Sequence, residues 1–123
     1  MSTLIACLST GKGTWTEVAT LIQAQPWDNI FLITNQFGKE NFKGNAKFVV
    51  IDPFQEASSV SSLTQEIKKQ LQSKIADFEI ALNLASGSGK EHMAVMEAVL
   101  ELGLSFRLVT LRNNRLEVLG LNP

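Results

Sequence analysis

The chain has 123 residues, 45% hydrophobic and 19% charged, which suits a single domain spanning 1–123 and leaves no room for an added catalytic or DNA-binding domain. Eleven Lys and Arg against twelve Asp and Glu give a formal net charge of −1, so the broad positive field of a general nucleic-acid binder is missing and no DNA duplex is expected as partner. The lone Cys7 excludes an internal disulfide framework and, with His92 the one histidine, a Cys/His zinc cluster; with no membrane-length apolar run and no basic leader, the expectation is a cytoplasmic chain without membrane contact.

In chain order, Leu4–Leu8 is a short buried strand that ends at Ser9-Thr10-Gly11. A helix follows, with Thr14 and Glu17 spaced as a capping box, Trp15, Val18, Ala19 and Ile22 on one face, and Pro26 as its stop. The second strand, Ile30–Thr34, runs into the polar stretch Asn35–Asn41, whose Asn and Gly content predicts a tight-turn loop. Phe48–Ile51 is a third strand, closed by Asp52-Pro53 because the residue before a proline is held extended. Val60, Leu63, Ile67, Leu71 and Ile75 then mark a second helix, with Ser62 and Gln65 as its capping box and Lys68, Lys69 and Lys74 as a solvated face near its end.

Ile80–Leu84 is a fourth strand, followed by Ala85-Ser86-Gly87-Ser88-Gly89 and a helix from Lys90 to about Leu102, with Ser88 and Glu91 spaced as its cap and Gly103 at its end. Met93, Met96, Val99 and Leu100 give that helix a broad apolar face. Phe106–Leu111 and Arg115–Leu119 flank an Asn113-Asn114 turn and predict an antiparallel hairpin. Parallel strands must be joined by crossovers, so the order predicts an α/β, Rossmann-like three-layer sandwich with a mostly parallel sheet and a C-terminal hairpin.

Ligands of open α/β sheets bind beyond the carboxyl ends of the strands, where the strand order reverses. This singles out Ser9-Thr10-Gly11-Lys12-Gly13-Thr14 after strand one and Ala85-Ser86-Gly87-Ser88-Gly89-Lys90 after strand four. Each carries glycines that let backbone amides approach an anion, hydroxyl donors and a lysine, and each enters a helix N-terminus, a combination suited to phosphate. The nucleotide motifs fail on residues: Thr16 stands where a dinucleotide fold needs its last glycine, Thr34-Asn35 stand where it needs an acid after strand two, and Leu84 and Glu91 stand where a nucleotide P-loop needs a glycine and a hydroxyl. Asp52 lacks the acidic partners after strand one that a phospho-receiver needs, and is read as shaping the turn at Pro53.

At these two loops the chain resembles the CRISPR-associated Rossmann fold (CARF) domain, a family that senses cyclic oligoadenylate second messengers. The likeness rests on Asn83-Leu84-Ala85-Ser86-Gly87-Ser88-Gly89-Lys90 leading to Met93, similar to the family's Asn-Leu-Thr-Gly-Gly-Thr-Lys type of segment, on Ser9-Thr10-Gly11, and on the closing hairpin. The glycine spacing here is looser by about a residue.

The resemblance implies a homodimer whose paired loops form one cleft for a ring of four or six adenylates, with no cofactor or metal. It implies either a ring nuclease, cutting by attack of a ribose 2′-hydroxyl on its neighbouring phosphate and so damping type III CRISPR signalling, or a sensor or sink without chemistry. A plain α/β scaffold acting through protein partners is the remaining alternative. In the nuclease reading Lys90, Lys12, Ser9 and His92 serve the reaction, Thr10, Gly11, Gly13, Thr14, Ser86, Gly87, Ser88 and Gly89 hold phosphates, and Asn35 and Gln36 read an adenine edge.

Overall fold

The computed structural model describes residues 2–8, 12–53 and 58–120, and of Lys12 the backbone alone. Six strands form one sheet in the order β3-β2-β1-β4-β5-β6: β1 (Thr3–Cys7), β2 (Asn29–Thr34), β3 (Lys47–Val50), β4 (Glu79–Asn83), β5 (Ser105–Arg112) and β6 (Arg115–Val118). All neighbours run parallel except β5 and β6, which pair antiparallel. With helices on both faces, this is the α/β, Rossmann-like sandwich that the alternation of elements predicts.

Every residue of β1 is buried, because the strand is central and covered on both faces. Its alternate side chains divide the core: Ile5 and Cys7 face α3 (Val60–Leu71) and α4 (Gly89–Glu101), whereas Leu4, Ala6 and Leu8 face α1 (Trp15–Ala24). A fully buried Leu or Ile here contributes about 1.5–3 kcal/mol through removal from water. Helix α1 ends before Pro26, with Gln25 extended as that proline requires. Its buried stripe is Val18, Leu21 and Ile22, whereas Ala19 is exposed and Trp15 half-buried, so the apolar face is rotated from the one the spacing suggests.

Three further local expectations change. Residues after β2 form a short helix, α2 (Gln36–Asn41), in place of a turn loop. Asn35 caps it, its Oδ1 accepting from the Gly38 amide at 3.0 Å, and a Cβ at Gly38 would collide with the Thr34 hydroxyl, which donates to the Leu8 carbonyl. Helix α3 begins earlier than the Ser62–Gln65 pair suggests, and its reciprocal cap is Ser59 with Ser62. On α4, Ser88 and Glu91 form the expected capping box and Gly103 adopts φ +80°, but Met93 and Leu100 are exposed while Ala94, Val95, Ala98 and Val99 are buried.

The hairpin turn has φ 54° at Asn113 and 60° at Asn114, the left-handed geometry that asparagine tolerates. The opposite edge, β3, is blunted: Gln70 of α3 accepts from the Val50 amide at 3.1 Å and donates to its carbonyl at 3.0 Å, so two edge groups are satisfied within the chain.

At the amino end of the sheet, Asp77 accepts from the amide and hydroxyl of Ser2, at 3.0 and 2.8 Å, and from the amide and hydroxyl of Thr3, both at 3.1 Å. Burial alone would raise the Asp77 pKa, but these four donors outweigh it and hold the carboxyl below the usual carboxylate value. A lowered folded-state pKa contributes stability that is present above the unfolded value and lost as pH falls through the folded one. Asp77→Asn is expected to cost about 1–2 kcal/mol at neutral pH. The cost should shrink under acid conditions, as read from urea unfolding of both proteins across that range.

Candidate functional site

Parallel register sets Ala6 of β1 beside Asn83 of β4, so the two strands end together and their loops leave side by side. The strand order reverses here: β2 and β3 lie on one side of β1, β4 and β5 on the other. Ser9, Thr10 and Gly11 lie outside the described residues. The chain resumes as a 3-10 turn over Lys12–Thr14 that leads into α1. Thr14 makes no side-chain cap bond, which leaves Glu17 free of the predicted capping box.

Glu17 reaches the sheet instead. Its Oε2 accepts from Asn83 Nδ2 at 3.1 Å and from the Thr110 hydroxyl at 3.5 Å. Asn83 is buried at the end of β4; its Nδ2 also donates to the Val109 carbonyl at 2.8 Å, and its Oδ1 accepts from the Ala85 amide at 3.2 Å. One amide thus joins α1, β4, β5 and the β4–α4 loop. This organising pair was not singled out by spacing, although an amide inside the apolar run Ile80-Ala81-Leu82-Asn83-Leu84 is a signal, because a buried amide must find partners.

The β4–α4 loop closes over the end of β1. Gly87 has φ +91°, and a Cβ there would stand 3.2 Å from Cys7 Cβ and collide with the Glu91 carboxylate. Glu91 is buried and its Oε2 accepts from the Ser88 amide at 2.6 Å, while the Ser88 hydroxyl accepts from the Glu91 amide. The capping box therefore occupies the Ser88 amide, and the first helical amides, at Gly89 and Lys90, are the ones without intrahelical partners. Open space lies over the Cα of Gly89, as it does over that of Gly13.

Of the side chains nominated for chemistry, Ser9 and the Lys12 side chain lie outside the described residues, and Lys90 and His92 both have partners. Lys90 Nζ donates to the Pro53 carbonyl at 3.1 Å and to that of Ser58, fastening the β3–α3 connection to the start of α4. His92 Nε2 lies 2.8 Å from the Ser86 carbonyl; a carbonyl only accepts, so this nitrogen carries the proton. Ser86 is buried. Asn35 is the cap of α2, and Gln36 donates to Glu40 at 3.0 Å; both line a hollow at the ends of β2 and β3.

Burial pushes the Cys7 thiol above its ordinary pKa, and the nearby Glu91 carboxylate pushes it further. Cys7 is thus a packing residue rather than a nucleophile. Among the described residues no group of three or more His, Cys, Asp and Glu is placed to hold a metal ion, and no helix is long and apolar enough to cross a membrane. The chain matches no protein-family model, and comparison with curated proteins gives no match.

Gly87→Ala is expected to destabilise by about 1–3 kcal/mol, because it combines a left-handed backbone with a collision against Glu91. Equilibrium denaturation reads this directly, and an unchanged midpoint would remove the tight closure of this loop over β1. Cys7 should resist alkylation by iodoacetamide under native conditions and react once urea unfolds the chain. A neutral thiol shielded from solvent is the reason, and mass spectrometry measures the outcome.

Proposed function

We propose that this chain binds a cyclic oligoadenylate across a homodimer cleft built from the paired β1–α1 and β4–α4 loops. The observation that carries the reading is the reversal of strand order between β1 and β4, which sets two glycine-bearing loop-to-helix junctions next to each other at one sheet edge. The amides of Gly89 and Lys90 supply donors to a phosphate, and the positive end of the α4 dipole adds to them. Open space over Gly13 and Gly89 lets a ligand backbone come close. The CARF resemblance of Asn83–Lys90 gives the ligand class, and a second copy packed on α4 would cover the exposed Met93 and Leu100.

Cutting of the ring is the second step of the proposal. Its chemistry belongs to the ring: a 2′-oxygen held in line attacks its neighbouring phosphorus as it loses its proton, the bond from that phosphorus to the 5′-oxygen breaks, and the 5′-oxygen leaves as a hydroxyl, giving a linear product with a 2′,3′-cyclic phosphate. Positioning supplies most of the rate. In this step Lys12 or Lys90 stabilises the developing charge, and Lys90 would have to exchange the Pro53 and Ser58 carbonyls for a phosphate oxygen. The engagement of Lys90 and His92 favours holding the ring over cutting it.

Cyclic tetra- and hexa-adenylate are each to be added in EDTA, with melting temperature and chromatography of the products as readouts. Ligand at a hundredfold excess over its dissociation constant should stabilise the fold by about 2.7 kcal/mol. An intact ring then marks a sensor or sink. A linear product marks a ring nuclease, and Lys90→Ala and Lys12→Ala should slow it. No thermal shift with either ring overturns the proposal and leaves the scaffold reading.

A further inference from the structure

The ends of β2 and β3 frame a hollow of about 490 Å³ that the oligoadenylate reading does not use for phosphate. Its walls are of two kinds. Phe37, Val50 and Ile51 supply an apolar side, whereas Asp52 and Glu66 supply two carboxylates, and among the described residues no Lys or Arg lines the hollow. Glu66 makes no hydrogen bond or ion pair with the described residues, so its charge is not neutralised by the fold.

Phe37 is 42% exposed yet is not a loose side chain. It projects from the first turn of α2 and packs on Trp15 with ring centroids 6.1 Å apart, and Trp15 in turn meets Phe42 edge-on at 5.7 Å. The ring is therefore held at the hollow by a stack that continues into the core, and a ligand meets a surface whose ordering cost is already met by folding. An aromatic ring and carboxylates together attract the same kind of group, because the ring face and the anions both favour positive charge. They repel a phosphate.

From this we infer that the hollow is a binding site for a small organic cation, a protonated amine or guanidinium carried on an apolar body. The cation faces Asp52 and Glu66 while the body lies along Phe37, Val50 and Ile51. This site does not rest on the oligoadenylate proposal, although Asn35 and Gln36, which that reading assigns to an adenine edge, line the same hollow.

The experiment is an NMR titration of the 15N-labelled chain at low salt with phenethylammonium, and with phenethyl alcohol as its neutral counterpart. Phenethylammonium should shift the amides of Gln36, Phe37, Ile51 and Asp52 with a dissociation constant in about the millimolar range or below. The alcohol should bind more weakly, and added salt should weaken the ammonium alone. Glu66→Gln, at an exposed position of α3, should weaken phenethylammonium about fivefold, the scale of one partly solvated ion pair, with an unchanged amide spectrum elsewhere showing that the variant is folded. Agmatine and acetyl-arginine amide separate a free cation from an arginine side chain. Tighter binding of either supports the site and names its source. Equal binding of the alcohol, equal binding by Glu66→Gln, or no shift at those amides overturns the inference.

Discussion

A parallel strand cannot be joined to its neighbour by a tight turn, and most of this molecule follows from that constraint acting on β1. The strand is buried on both faces and flanked by parallel partners, β2 on one side and β4 on the other. Each crossover must pass over a face of the sheet, and right-handed crossovers put successive helices on opposite faces once the chain moves to the other side of β1. Helix α1 accordingly covers the Leu4, Ala6 and Leu8 face, and α3 and α4 cover the Ile5 and Cys7 face. The loops after β1 and β4 therefore diverge to opposite faces, and a crevice between them is a consequence of connectivity rather than of any residue in it.

What residues decide is how that crevice edge is kept polar without being loose. Two carboxylates stand there, and each is held by donors of the chain: Glu17 by Asn83 and Thr110, Glu91 by the Ser88 amide. Buried or half-buried acids are tolerable only with such partners. The arrangement has an electrostatic consequence. An incoming anion meets carboxylates already occupied by hydrogen bonds, and the donors left to it are the backbone amides at Gly89 and Lys90.

The same distinction explains what was legible in the amino-acid sequence. Strand positions, the hairpin at Asn113-Asn114 and the cap at Ser88 with Glu91 could be read, because each depends on residues close in the chain. The short helix α2 was not legible, because Gly38 reads as a turn signal; here it is the residue that lets a helix sit on the Thr34 hydroxyl. The Thr14–Glu17 pair had correct spacing and the wrong outcome, since Glu17 gains two partners from β4 and β5 that lie distant in sequence. Spacing likewise nominated Lys90 as a free cation, and only the fold brings the carbonyls of Pro53 and Ser58 to it. The loops of the candidate site were therefore found from sequence, but the partners of their side chains were not.

The carboxyl edge of the sheet is also divided by charge along its length. Between β1 and β4 it offers the amides of Gly89 and Lys90, and Thr14 and Ser88 stand at the two helix entries. Beyond β2 and β3 it offers Asp52, Glu66 and an aromatic ring. The connection between these two regions is direct: Lys90 of the first holds the backbone on either side of the segment that follows Asp52, and Trp15 of the first supports Phe37 of the second. A ligand that drew Lys90 toward itself would have to release the Pro53 and Ser58 carbonyls. A ligand seated against Phe37 would brace Trp15 and the start of α1. Any coupling between the regions must then be reciprocal, because a free energy shared by two sites acts equally on both.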